Sequence, residues 1–283
     1  MLDTPTAPSV KPLVPADLPE VHRVLERDPV TDVFVGSRVH MSGLKRGRLG
    51  GQLWGYREDG RLVSLCYSGA NLVPVAPTYA AVRTFSDLAA RRGRECTSIV
   101  GPAAAVLGMW DLLRPSWGPA REVRSNQPVL VIDHPPQVAP DPNVRQVRPD
   151  ELDRLLPAAV AMFTEEVGVS PTRRGTSTTY RARVAELVRA GRAFARFENG
   201  QVVFKAEISA VTPFACQIQG VWVRPDCRGR GFAARGVATV VAHALGHVAP
   251  AVTLYVNDYN HVARATYRRV GFREVGTFAT ILF

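Results

Sequence analysis

The chain has 283 residues, of which 46% are hydrophobic, enough for ordinary globular cores and too many for a disordered protein. It has no run of about 18 apolar residues, which argues against a membrane-spanning helix, and its polar, Pro-rich start lacks the apolar segment of a signal peptide, so a cytoplasmic protein is expected. The formal net charge of +10 divides into +3 over residues 1–135 and +7 over residues 136–283, and its arginines are scattered rather than set in a basic run with interleaved aromatics, which favours an anionic small ligand over nucleic acid.

Taken in chain order, Val14 to Glu20 begins a segment that echoes Val147 to Leu152 in the second half. Trp54 to Arg57 and Leu62 to Ser68 form a hairpin pattern around Asp59-Gly60. A helix over Ala80–Arg92, a strand over Cys96–Val100, a helix over Ala103–Leu113 and a strand over Pro128–Ile132 follow. Asn71 to Thr78 reads as a loop with no Gly-rich turn and no basic residue, and its two prolines lack N–H donors. His134 to Asn143 carries four prolines and no apolar period, so it reads as an extended connector. The expected division is therefore 1–135, a linker at 136–143, and 144–283.

In the second half, Val144–Val147 is a strand, and Leu152, Leu155, Leu156 and Val160 form the apolar stripe of a helix. Ser177–Ala190 is a second helix. Ala193–Phe197, Val202–Ser209 and Ala215–Val223 are three successive strands. Alternation puts Val202, Phe204, Ala206 and Ile208 on one face of the middle strand and Lys205, Glu207 and Ser209 on the other. In the next strand it puts Gln217 and Gln219 with Val221 and Val223. After the strand come Arg228-Gly229-Arg230-Gly231-Phe232-Ala233-Ala234 and a helix through about Leu245. A strand, a Gly-rich turn and a helix N-terminus make an anion site, because first-turn N–H groups have no partner in the helix and glycine lets the backbone approach closely. The Lys-Ser/Thr of a P-loop is missing, and no acid follows about 20 residues on in an early βαβ unit as a dinucleotide fold requires.

Val252–Val256 is another strand, followed by Asn260, Ala263, Tyr267 and Gly271 at helical spacing, with Gly271 as the C-cap and Asn260 a candidate N-cap. Two short strands close the chain, Phe272–Val275 and Thr277–Phe283. Cys66, Cys96, Cys216 and Cys227 form no Cys-x-x-Cys pair, so reduced thiols are expected. His243 and His247 lie four apart with no Glu in the metalloprotease position, and no metal is expected.

The order of elements over 144–283, with the Arg-x-x-Gly-x-Ala loop and the Asn260-x-x-Ala263-x-x-x-Tyr267 spacing, resembles the GNAT acetyltransferase superfamily. The first half has a GNAT-like order without the phosphate loop and is expected to be a degenerate copy, an unrelated α/β cap domain being the alternative. The fold implied is α/β (α+β): two GNAT-like domains, each a mixed, largely antiparallel twisted sheet flanked by helices. The resemblance implies an N-acetyltransferase that takes acetyl-CoA as co-substrate and passes the acetyl group directly to an amine, on a small molecule or a peptide. By that resemblance the pyrophosphate sits on Arg228, Gly229, Arg230, Gly231, Ala233 and Ala234. The pantetheine pairs with Val221 and Val223 and meets the Asn260 amide. The Val223 N–H serves the oxyanion, and Tyr267 is the general acid. The family often has Glu near Gln217; the amide here cannot be a base. Glu207, acting through water held by Gln217 or Gln219, is the first candidate base, and Glu165 and Glu166 are the second. The plain alternatives make Glu207 a strand-surface charge paired with Lys205 or a nearby arginine, and Tyr267 a core aromatic. Glu165, Glu166, Tyr180 and Gln219 are expected to border the acceptor, which enters between the halves. A monomer or homodimer fits, and an acyl-CoA sensor without turnover is the alternative function.

Overall fold

The computed structural model describes residues 9–45, 47–172 and 177–283, so the first eight residues of the polar start lie outside the described residues. The chain divides into two compact units. One comprises residues up to Val129 with Tyr255–Tyr259 and Glu274–Phe283; the other comprises Leu130–Leu254 and Asn260–Arg273.

The first unit begins with β1 (Ser9–Pro12), α1 (Leu18–Leu25), α2 (Val33–Ser42), β2 (Gly51–Glu58) and β3 (Arg61–Gly69). The β2–β3 hairpin turns at Asp59-Gly60, both at positive φ, as the sequence predicts. β4 (Asn71–Val75) occupies the segment expected as a loop: Leu72, Val73 and Val75 are buried, and Pro74 is tolerated because β4 pairs fully with β3 but with the next strand only at Asn71 and Leu72. Then come α3 (Tyr79–Arg92), β5 (Ser98–Pro102), α4 (Ala103–Trp117) and β6 (Glu122–Ile132), whose residues belong to both units. One core packs α3 and α4 against the sheet around Phe85, Ile99, Met109 and Leu113, and another packs α1 and α2 on its other side around Val21, Val35 and Leu65.

The second unit carries β7 (Arg145–Gln146), α5 (Leu152–Val167), α6 (Ser177–Arg189), β8 (Ala193–Glu198), β9 (Gln201–Val211), β10 (Cys216–Val223), α7 (Phe232–His247), β11 (Val252–Tyr255) and α8 (His261–Val270). Its sheet runs β7-β8-β9-β10-β11, antiparallel except for the parallel pair β10–β11. The chain ends in a single strand, β12 (Arg273–Leu282), where two were expected; β12 pairs with β5 in the first unit.

Two expectations change here. The Pro-rich segment is a packed strap of the second unit rather than a connector. The buried Asp141 pairs with Arg196 at 2.7 Å, its backbone N–H donates to Thr239 Oγ1, and the Gln137 N–H donates to the Val270 carbonyl. The face pattern of β9 also breaks: a register shift opposite Arg196 and Phe197 pairs Phe197 with Val202 and Arg196 with Phe204, so Val202 joins the α5 side while Phe204 faces α7. α7 lies close on that side, since a Cβ at Gly236 would come within 2.6 Å of the Phe204 ring.

Buried Glu151 ties the start of this unit together. Its two oxygens accept from Arg145 at 2.7 Å each, and one also accepts from the Arg148 N–H. The Arg145 guanidinium, acting against the effect of burial and joined by that N–H, holds the Glu151 carboxyl down to about 2 from an ordinary 4.5. Because the folded value is depressed, the contribution is present above the unfolded value and lost as pH falls from about 4.5 towards 2. Glu151→Gln is expected to lower stability by about 2 kcal/mol at neutral pH and to flatten the acid limb, measured by denaturant unfolding across pH.

Candidate functional site

β10 is antiparallel to β9 along its length, but its parallel ladder with β11 joins only Cys216 to Val252 and Gln217 to Thr253. Beyond Gln217 the two strands part. The Arg224 N–H donates to the Val203 carbonyl on the β9 side at 3.0 Å. Successive N–H groups of a regular strand face opposite edges, so the Val223 N–H is aimed at the open edge.

The register explains how β10 reaches this state. Gln219 faces Glu207 and Trp222 faces Lys205, so β10 spends three steps where β9 spends two. The extra residue is a bulge at Gly220-Val221, with Gly220 at φ +60°. A Cβ there would meet Lys205 Nζ at 2.9 Å and Met162 Cε at 3.1 Å. The bulge corrects the predicted face pattern: Gln219 and Trp222 share the side on which α5 packs, and Val221 and Val223 take the other.

β10 runs into a short turn at Pro225–Cys227 and then the Gly-rich loop. Gly229 and Gly231 are at φ +74° and +81°, and Gly231 is the N-cap of α7. Open space lies within 4 Å of where a Cβ would stand at either glycine, so backbone conformation demands the glycines and a ligand can reach the N–H groups of Phe232, Ala233 and Ala234. Arg230 stacks over the Phe232 ring at 5.2 Å, and Arg196 lies over the same ring at 4.5 Å. Arg228 donates to the Val223 carbonyl and pairs with Glu165 at 2.6 Å. Both partners of that pair are about half exposed, and such a pair contributes about 1 kcal/mol or less, so Arg228 can exchange Glu165 for a phosphate.

Asn260 caps α8: its Oδ1 accepts the Ala263 N–H at 3.1 Å, which leaves the amide Nδ2 as a donor. One turn into the helix and beyond, Tyr267 is buried against Phe272. Burial, with the charge of Glu166 added, pushes the Tyr267 phenol well above its ordinary range. Tyr180 donates to the Ala159 carbonyl at 2.8 Å; burial and then the charges of Glu207 and Glu166 push it up to about 12. Tyr267, Tyr180 and Glu166 are thus brought into one electrostatic neighbourhood. Glu165 turns instead to Trp222 Nε1 and Arg228.

Glu207 is buried and held on both oxygens, by Lys205 Nζ at 2.7 Å and by the Gln219 amide at 3.3 Å. Lys205 is fully buried and also donates to the Gly220 carbonyl at 3.0 Å. The sequence reading assigned Lys205 only as a possible partner of Glu207. Composition carried a stronger signal: the chain has 32 arginines and three lysines, and one of those three sits inside an apolar strand. His243 and His247 stack on each other at 4.8 Å, and among the described residues no group of three His, Cys, Asp or Glu is placed to hold a metal.

The second unit is a mixed sheet that parts at a bulged strand, followed by a Gly-capped helix. Residues 157–272 match the acetyltransferase (GNAT) family, and this part of the chain is a GNAT-family domain. Residues 51–155 match a domain of unknown function, DUF4081. Three solved structures share the fold over nearly the whole length. A tandem GNAT protein from the clavulanic acid biosynthesis pathway is 17% identical, covering 97% of this chain and 98% of that one, with a TM-score of 0.56. A GCN5-related N-acetyltransferase from Sphaerobacter thermophilus is 21% identical, covering 97% and 95%, with a TM-score of 0.57. A Drosophila protein is 13% identical, covering 97% and 98%, with a TM-score of 0.69. No curated protein sequence matches the chain.

Gly220→Ala places a Cβ against Lys205 Nζ at a positive φ. A loss of about 1–3 kcal/mol in denaturant unfolding is expected, whereas Gly246→Ala, with open space around it, should cost nothing comparable.

Proposed function

We propose that the chain is an N-acetyltransferase that moves an acetyl group from acetyl-CoA directly to an amine. The carrying observation is the parallel β10–β11 ladder that closes at Gln217 and leaves the Val223 N–H on an open edge leading to the α7 N-terminus. An extended pantetheine arm fits such an edge by adding β-type hydrogen bonds. Its diphosphate fits the N–H groups of Phe232, Ala233 and Ala234, with Arg228 and Arg230 beside them. The Asn260 Nδ2 supplies a further donor for the arm.

Acetyl-CoA supplies the activated acyl group, and the chain's own residues supply the rest. The Val223 N–H stabilises charge on the carbonyl oxygen as the amine nitrogen bonds to carbon. Tyr267, kept protonated by burial, gives its phenol proton to the sulfur as the C–S bond breaks. The amine proton passes to water beside Gln219 and Glu207. Because the Gln219 Nε2 is committed to Glu207, its Oε1 is the atom turned to accept from the amine or that water. Small-molecule and peptide amines both remain acceptors of the right class.

A second reading, an acyl-CoA sensor without turnover, is favoured by one observation: Gln217 stands where the family often has a base, and Glu207 is already engaged by Lys205 and Gln219. Tyr267→Phe separates the two. An enzyme loses about 10²–10⁴-fold in kcat and keeps its acetyl-CoA affinity; a sensor has no turnover to lose. Since the folded Tyr267 value is raised, the wild-type rate should show no alkaline fall at the ordinary tyrosine value of 10.

Calorimetric titration of acetyl-CoA tests the site itself. One site of micromolar affinity is expected, abolished by Gly231→Glu, which sets a carboxylate and a strained backbone where the diphosphate would lie. Absence of binding to the wild type overturns the assignment.

A further inference from the structure

We propose that Glu165 and Arg228 are specificity-determining residues for the acyl donor: together they hold the pantetheine edge of β10 shut against thioesters that carry no diphosphate. The inference rests on the acetyltransferase reading above and adds a donor filter to that site.

Val223 presents two polar groups to the open edge. It pairs with Phe204 in the β9 ladder, and the next N–H, that of Arg224, is spent on the Val203 carbonyl. In an antiparallel ladder the N–H and C=O of one residue face the same edge, so the Val223 carbonyl faces the open side together with its N–H. That carbonyl is already in use, because Arg228 Nε donates to it at 3.1 Å. An arm that adds to this edge in β fashion offers its own N–H to the same oxygen. The guanidinium therefore stands where the arm would lie.

Glu165 keeps it there. One carboxylate oxygen, Oε2, accepts from Arg228 Nη2 at 2.6 Å, and the other, Oε1, accepts from Trp222 Nε1 at 3.0 Å. Trp222 is buried, so its indole anchors the carboxylate near the C-terminal end of α5. An ordinary exposed pair loses much of its gain to the ordering of two long side chains; here the indole has ordered one of them in advance. The result is a strap that runs from Glu165 through the guanidinium to the Val223 carbonyl. Arg224 and Arg230 are engaged elsewhere, on Asp226 and on the Phe232 ring, so Arg228 is the loop arginine that reaches the edge.

The strap is also weak enough to open. Both charged partners are about half exposed. A diphosphate at the α7 N-terminus offers Arg228 charge-assisted bonds to several oxygens, which are stronger than its bond to a neutral carbonyl. A donor with a diphosphate thus draws Arg228 off the edge that its own arm needs. A thioester without one must displace the strap unaided.

The test compares acetyl-CoA with S-acetylpantetheine, which has the same acyl group and arm and no phosphate. Each Kd is read from the Val223 amide shift in isotope-labelled protein, with melting temperatures recorded for every variant. Arg228→Ala removes the strap and a diphosphate contact together. It is expected to weaken acetyl-CoA about tenfold and to tighten acetylpantetheine about fivefold. Glu165→Gln keeps an acceptor for the Trp222 indole and takes away the charge facing Arg228, so it should tighten both ligands about threefold. In the Arg228→Ala background, Glu165→Gln should change neither Kd. Acetylpantetheine bound equally or more weakly by either single variant overturns the filter. So does acetyl-CoA binding that Arg228→Ala leaves unchanged, or a Glu165→Gln effect that persists without Arg228. Acetylpantetheine that binds none of the proteins, while acetyl-CoA still binds, overturns it as well. Absence of acetyl-CoA binding to the wild type overturns the acetyltransferase reading itself.

Discussion

A strand inside a sheet normally satisfies its N–H and C=O groups on both edges, and unmet groups on an inner edge are costly unless something else fills them. β10 meets this requirement on the β9 side and abandons it on the β11 side after two paired residues. The rest of the second unit is organised around that gap. The bulge at Gly220 turns Val221 and Val223 out of register with Gln219, which gives one short strand two different faces. The same strand then delivers the chain through the single short turn at Pro225–Cys227 to α7, so the open edge and the helix N-terminus follow each other closely.

Charge is arranged to leave the loop ready for an anion. Buried charges are paired internally: Lys205 with Glu207, Asp141 with Arg196, and Glu151 with Arg145. At the loop Arg228 pairs with Glu165, a half-exposed pair that solvent already weakens. Arg230 lies over the Phe232 ring, which keeps its charge near the helix start.

Much of this was legible in the sequence, and the misses have identifiable causes. The loop was readable because glycine at positive φ and a following apolar helical run leave few alternatives. The Asp59-Gly60 hairpin was readable for the same kind of reason. What failed was strict alternation. It placed Val221 and Val223 with Gln219, although an isolated Gly220 inside a strand is itself the sign of a bulge. It placed Val202 with Phe204, where no residue in the sequence marks the shift. Four prolines suggested a free connector at His134–Asn143, yet the segment is fixed by Asp141, a charge whose burial depends on Arg196 from a distant strand. Asn71–Thr78 stands where the GNAT-like order places the phosphate loop, yet Asn71–Val75 is a strand, and single-edge pairing makes Pro74 harmless. Helix α2 gave no clear signal, since Val33, Val35 and Val39 are β-branched and their spacing only partly matches one helical face.

The most direct measurement is the set of backbone amide chemical shifts in isotope-labelled protein as acetyl-CoA is added. Shifts concentrated at Val221, Val223 and Gly229 to Ala234, with Asn260 following, are the expected result, because one ligand would then span the open edge and the helix N-terminus together. Shifts confined to residues away from β10 and α7, or none at saturating ligand, would contradict it.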